Sequence, residues 1–184
     1  MVRIKNILAK ASVRRIARHM PSEQLRFPDS LRSPKHILVC LPSRLRELTL
    51  VKQFLPAITD LFKPADIALL CAPGIRVNDI FPHKGFQILS PTSDQLTWWG
   101  LPKKSYIEHL REMKIDLVLD LNFEQSNFTS SILLNFPKAV RIGRGNHLGQ
   151  PYYNVEIKTK YLRDERNIYR SLLETIKLMK SSAN

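Results

Sequence analysis

The sequence predicts an α/β fold: a Rossmann-like three-layer αβα domain with a mostly parallel sheet, preceded by a basic amphipathic helix. Three observations carry that reading. After residue 35, short β-rich apolar runs alternate with longer stretches of helical periodicity. The strongest run, 115–121, is almost continuously apolar, as a strand covered on both faces must be. The 184 residues suffice for one well-packed domain and are too few for two full ones.

The elements follow in order. Within 4–20, Ile4, Ile7, Leu8, Ala11, Ile16 and Met20 recur at helical spacing, with Arg3, Lys5, Lys10, Arg14, Arg15 and Arg18 between them. Pro21, Pro28 and Pro34, interspersed with Ser22, Ser30 and Ser33, break any helix and predict an irregular connector. The domain boundary is therefore expected at 34/35. Residues 36–41 read as the first strand and 44–62 as a helix whose apolar face is Leu45, Leu48, Val51, Leu55 and Ile58. A second strand is expected at 65–71 and a third at 86–89. A helix at 103–113 leads into the 115–121 strand. A helix at 125–136, strands at 139–142 and 153–157, and an amphipathic helix at 163–180 complete the alternation. Such a rhythm implies a parallel sheet with helices on both faces. A ligand site would then lie beyond the carboxyl ends of the strands, in the loops starting at Pro42, Ala72, Ser90 and Asn122.

Composition bounds the function. Apolar residues make up 43% and charged residues 24%, the balance of a soluble globular protein. The longest apolar runs fall far short of the roughly 20 residues that span a bilayer. Cys40 and Cys71 lie inside apolar runs, which favours buried thiols in a reducing cytoplasm over a disulfide framework. The net charge of +13 favours anionic partners, and residues 1–36 hold nine Lys and Arg against Glu23 and Asp29. For the N-terminal helix the residues allow an anionic membrane surface met by Lys5, Lys10, Arg14, Arg15 and Arg18, a nucleic acid, packing onto the domain, or an Arg-rich organellar presequence, which the single serine of its first 20 residues disfavours. Membrane docking leads, placing the protein at the inner face of the cytoplasmic membrane. The nucleic-acid alternative, a basic binding module on a Rossmann-like fold, lacks any RNP-type aromatic motif, helix-turn-helix or zinc finger.

The motifs narrow the chemistry. The first strand is followed by Pro42, Ser43, Arg44, Leu45, Arg46 and Glu47, with no glycine to let a backbone cradle a pyrophosphate, so NAD and ATP readings lose their support and no cofactor is called for. Ser43 is the expected N-cap of the following helix. Glu47, in its first turn, either complements the helix dipole or acts as a general base toward a hydroxyl acceptor. Trp98 and Trp99, after the third strand, either stack on a sugar or dip into a lipid interface, or else pack on the next helix. Arg141, Arg144 and His147, among Gly143, Gly145 and Gly149, form a basic loop that is either simply solvated or holds a phosphate or phosphorylated sugar. His83, His109 and His147 have no metal-site spacing and there is no Cys-x-x-Cys pair, so no metal is expected.

Several of these segments together resemble glycosyltransferase family 9, the ADP-heptose:lipopolysaccharide heptosyltransferases of GT-B fold. They are 37–43, then Leu45-Arg46-Glu47, then Leu55-Pro56-Ala57-Ile58; the 115–121 strand with its two aspartates, Asp116 and Asp120; Ala139-Val140-Arg141-Ile142-Gly143; and Tyr153-Asn154-Val155. The similarity runs in the right order from about residue 36 to about residue 180. It implies the acceptor-side half of a two-domain enzyme, with Ser43, Arg46, Asn122, Trp98, Trp99, Arg141 and Arg144 toward a glycolipid or phosphorylated sugar acceptor and Glu47 as base. It also implies that the nucleotide-sugar donor domain would be a separate polypeptide and that the chain would not transfer sugar alone. Arg46-Glu47 stands where the family usually has Gly-Asp, and the 122–126 loop lacks the family's glycine. Both departures imply an accessory protein, a pseudoenzyme or one half of a split enzyme in lipopolysaccharide or glycan assembly.

Overall fold

The computed structural model describes residues 2–21, 29–75, 77, 80–81, 85–145, 148–161 and 163–181. Six strands, β1 (His36–Cys40), β2 (Asp66–Leu70), β3 (Gln87–Leu89), β4 (Leu117–Asp120), β5 (Val140–Arg144) and β6 (Val155–Ile157), form one sheet in the order β3-β2-β1-β4-β5-β6. Every pairing is parallel. The order reverses between β1 and β4, and that switch point is where the loops of the two halves diverge and leave a crevice.

The helices sort by the face they cover. On one face, α3 (Leu45–Phe62) and α6 (Glu165–Ser181) bury Leu48, Val51, Leu55, Ile58 and Phe62 with Tyr169, Leu172 and Ile176 against Ile37, Val39, Leu117, Leu119 and Ile142. Each such side chain contributes about 1.5–3 kcal/mol when fully buried. On the other face, α4 (Lys104–Glu112) and α5 (Asn127–Leu134) pack Tyr106, Ile107, Leu110, Phe128, Ile132 and Leu133 onto Leu38, Cys40, Leu70 and Val118. Strand residues of alternating parity thus feed two cores, which is why the runs read as continuously apolar. The observed elements reproduce the expected ones to within about two residues, and Cys40 and Cys71 are buried free thiols. Leu45, expected on the buried face of its helix, is exposed instead, since the face of the first turn that packs inward is that of Glu47 and Leu48.

The N-terminal region adds two features. The helix α1 (Val2–Arg18) forms as expected, and its packed residues are Ala9 and Val13, joined by Ile16, Ala17 and Met20, while Ile4, Ile7, Leu8 and Ala11 are exposed. It lies on α5 and contacts Leu134 and Leu101, and Asn127 donates to the Asn6 side chain at 2.7 Å. With the sheet on one side and α1 on the other, α5 is buried all round from Phe128 to Leu134, and it carries no charged residue. The connector is also not wholly irregular. A short helix, α2 (Asp29–Arg32), seats Leu31 in the core, so the core begins before Lys35. Ser22 and Pro28 of the connector, and His83 and His147, lie outside the described residues.

Candidate functional site

The carboxyl ends of β1 and β4 position the site. After β1 the chain turns through Pro42 and Ser43 into α3, whose N-cap is Arg44; it makes no side-chain capping bond, and Ser43 stands exposed outside the cap, contrary to expectation. The reason is one of register: the helix starts one residue later, and an extended Arg44 leads into it. Glu47 in the first turn is only 4% exposed. Arg44 reaches it at 3.7 Å and also pairs closely with Glu124 in the loop after β4. Arg46 points the other way and pairs with Glu165, the first residue of α6, at 3.3 Å. Two arginines and three glutamates from three separate elements therefore meet at the switch point.

Burial pushes the Glu47 carboxyl above the ordinary carboxylate range. The Arg44 cation pulls it back, Glu165 and Glu124 push it further up, and Arg46 opposes them weakly. Below the cluster, Tyr169 of α6 donates to the Leu121 carbonyl at 2.8 Å, tying α6 to the β4 loop. Phe123 packs on the Tyr169 ring, with centroids 4.9 Å apart, and the Arg144 guanidinium sits over Phe123 at 5.5 Å. Arg144 thus reaches the same end of the sheet as Glu47.

A second buried carboxylate lies one strand away and on the opposite face. Asp120, at the end of β4, accepts from the Tyr153 hydroxyl at 2.6 Å, from the Asn122 backbone at 3.0 Å and from the Asn122 side-chain amide at 2.6 Å. Tyr153 is wedged against Gly143, where a Cβ would run into its ring. Asn122, expected at an acceptor site, therefore spends its side-chain amide on shaping the turn. Arg141 likewise gives its guanidinium to the carbonyls of Phe136, Pro151 and Tyr152, at 2.9, 3.3 and 2.9 Å. The site role expected of it gives way to that of an internal strut for the 149–154 turn; its burial brings the guanidinium down to about 10.

The tryptophans stand apart from Glu47, on the α4–α5 side. Trp99 packs against Leu101 and the inner face of α1, while Trp98 is 55% exposed, meets Trp99 edge-on and lies under the Lys5 ammonium at 5.3 Å. Gly100, with φ 84°, supplies the left-handed conformation that closes this turn. The basic residues of α1 are on the α5 side as well.

Two depressions flank the sheet ends. A polar groove of about 620 Å³ beside the cluster is lined by Arg46, Gln53, Arg163, Asp164, Glu165 and Arg166. A larger cleft of about 700 Å³ opens at the opposite edge, by His36, Asp66 and Lys114. The first lies at the carboxyl edge of the sheet, where the N-terminal, electropositive ends of α3 and α6 meet. Among the described residues no three His, Cys, Asp or Glu side chains are arranged to hold a metal ion, and no helix is long and apolar enough to cross a membrane.

Sequence reasoning singled out Glu47, Arg46 and Arg144 and missed Arg44, Glu124 and Glu165 around them. Asp120 had a signal, a charge at the end of an otherwise apolar strand. Arg44 had one in its i,i+3 spacing to Glu47. Glu124, Glu165, Tyr153 and Tyr169 come from distant segments and had none.

No protein family model matches the chain, and neither does any curated protein. Among solved structures it is similar to a glycosyl transferase family 9 protein from Veillonella parvula DSM 2008, with a TM-score of 0.51 and 15% sequence identity. In fold, this chain resembles a family 9 glycosyltransferase. The likeness covers 79% of the chain and 42% of the Veillonella protein, so the chain spans less than half the length of that relative. The resemblance drawn from the sequence thus finds support at the level of fold.

Proposed function

We propose that this chain serves as the acceptor-side domain of a family 9-type glycosyl transfer system in lipopolysaccharide or other glycan assembly, working with a separate nucleotide-sugar-binding polypeptide. The observation that carries the reading is Glu47: a buried carboxylate of raised proton affinity, held on the first turn of a helix at the switch point of a 3-2-1-4-5-6 parallel sheet. That is the place and the protonation behaviour of a general base. In the proposed step Glu47 takes the proton of an acceptor hydroxyl as its oxygen bonds to the sugar carbon. The bond from that carbon to the nucleotide diphosphate breaks, and the diphosphate leaves with the electron pair on the partner polypeptide. Arg46 and Arg144 offer cations to a phosphate on the acceptor. The work takes place in the cytoplasm, at the inner face of the membrane where lipid-linked acceptors are held.

The test is recovery of the native protein with its bound partners after nuclease treatment, followed by a transfer assay with nucleotide sugar and native membranes. Glu47→Gln is expected to lower transfer by about 10²–10⁴-fold, the usual weight of a general base. Unchanged transfer would remove the base assignment. Recovery of ribosomal or nucleoid proteins alone would reduce the glycan reading to one of shared ancestry and favour nucleic acid as the partner.

A further inference from the structure

Helix α1 carries two apolar faces. The inner one, Ala9 and Val13, is covered by α5 and the Trp99 loop. On the outer side of the N-terminal half, Ile4 is 58%, Ile7 62% and Leu8 40% exposed. Ile4 and Leu8, four residues apart, form one ridge, and Ile7 lies three residues from Ile4 on the neighbouring one. Lys5 ties this half of the helix to Trp98, which adds an exposed aromatic ring beside it. Exposed aliphatics grouped with a tryptophan mark a surface that meets something apolar.

The charges around the patch say what that is. Arg3, Lys10, Arg14, Arg15 and Arg18 are exposed along the same helix, and α1 has no acidic residue. A second copy of the chain would bring two wholly cationic helices together. A nucleic acid would satisfy the cations and leave Ile4, Ile7, Leu8 and Trp98 uncovered. An anionic bilayer satisfies both, since aliphatic side chains enter the headgroup–acyl boundary, tryptophan favours that depth, and each nearby Lys or Arg gains about 1 kcal/mol from an acidic leaflet.

The orientation follows from the fold. Asn6 contacts Asn127 at the start of α5, and the Trp98 loop leaves β3, so the apolar half of α1 lies at the carboxyl edge of the sheet. The cluster around Glu47 is at that same edge. We propose that α1, through Ile4, Ile7 and Leu8 together with Trp98, docks the chain on an anionic lipid bilayer with the carboxyl edge of its sheet turned toward the lipid. The docking holds whatever reaction the site performs; with the transferase reading, it brings the Glu47 end to the surface where an acceptor is anchored.

The full-length protein, freed of nucleic acid, is mixed with vesicles of phosphatidylcholine alone or of phosphatidylcholine with an equal amount of phosphatidylglycerol, and bound protein is measured by sedimentation. Binding to the mixed vesicles at least about tenfold tighter than to the neutral ones is expected, as is a further loss of about tenfold or more in the Ile4→Ser/Ile7→Ser variant. Tryptophan emission should shift to the blue on binding and be quenched by brominated lipid, and Trp98→Phe should remove both effects. This readout on the wild-type protein stands even if the double variant melts early. The proposal falls if the mixed vesicles are not bound, if Ile4→Ser/Ile7→Ser binds them as well as wild type, or if Trp98 is not quenched. It falls equally if the patch proves to be covered by a second copy, seen as a dimer that Ile4→Ser/Ile7→Ser dissociates, or if RNA binds at physiological salt and displaces the vesicles. Vesicle binding and sugar transfer are read in separate assays on separate variants, so docking and the Glu47 assignment fail separately.

Discussion

Glu47 and Asp120 are both buried carboxylates at the carboxyl edge of the same sheet, and they are treated in opposite ways. Asp120 accepts hydrogen bonds from Tyr153 and from the backbone and side-chain amides of Asn122, and the fold builds Gly143 beside it so that the tyrosine ring fits. Glu47 has, among the described residues, one ion pair, with Arg44 at 3.7 Å, and two further glutamates nearby that raise its proton affinity. A carboxylate surrounded by donors holds a structure together. One that is desolvated with little compensation costs stability, and such a cost is a signature of a working site. The difference sets Asp120, which shapes the β4 turn, apart from Glu47, the residue to which the proposed function gives the chemistry.

The largest expected effect is on the structural side. Asp120→Ala leaves the Tyr153 hydroxyl and the Asn122 amides without their acceptor, and it should cost about 3–5 kcal/mol in denaturant unfolding. A cost under about 1 kcal/mol would dissolve the contrast. Next comes Gly143→Ala, whose methyl group must displace the Tyr153 ring; a loss of about 1–3 kcal/mol is expected, with the Tyr153 contact to Asp120 loosened.

Glu47→Gln should go the other way. A carboxyl whose folded-state pKa lies above the unfolded value favours folding while it stays protonated and loses that advantage as pH rises through the folded pKa. Replacing it with a neutral amide is therefore expected to leave thermal stability at about pH 7 equal or slightly raised, and to give no gain near pH 4. The smallest effect belongs to Arg44→Ala: its pairs with Glu47 and Glu124 involve an exposed guanidinium, so the cost should stay below about 1 kcal/mol while Glu47 shifts further upward.

How much of this was legible in the sequence differs between the same two regions. The strands were readable because 37–41, 67–71 and 117–119 are buried on both faces, and a strand in that position must be apolar at every residue rather than at every second one. Glu47 was readable because a carboxylate in the first turn after a first strand has a fixed address. Its partners were not, because Glu124 and Glu165 reach it through tertiary folding. The packed face of α1 was not legible, because the sequence left several partners open for that helix and close packing on α5 selected the small Ala9 and Val13 over the larger Ile and Leu. The charge-free sequence of α5, from Asn127 to Leu134, was the signal that a second layer had to cover it.

The most direct measurement is a side-chain carboxyl NMR titration of protein labelled at glutamate, with Glu47→Gln identifying the Glu47 resonance. Glu47 is expected to titrate above the ordinary glutamate range, and to move further up in Arg44→Ala. If Glu47 titrates within the ordinary range, and Glu47→Gln is clearly destabilising at neutral pH, then Glu47 is as structural as Asp120 and the site must be sought elsewhere.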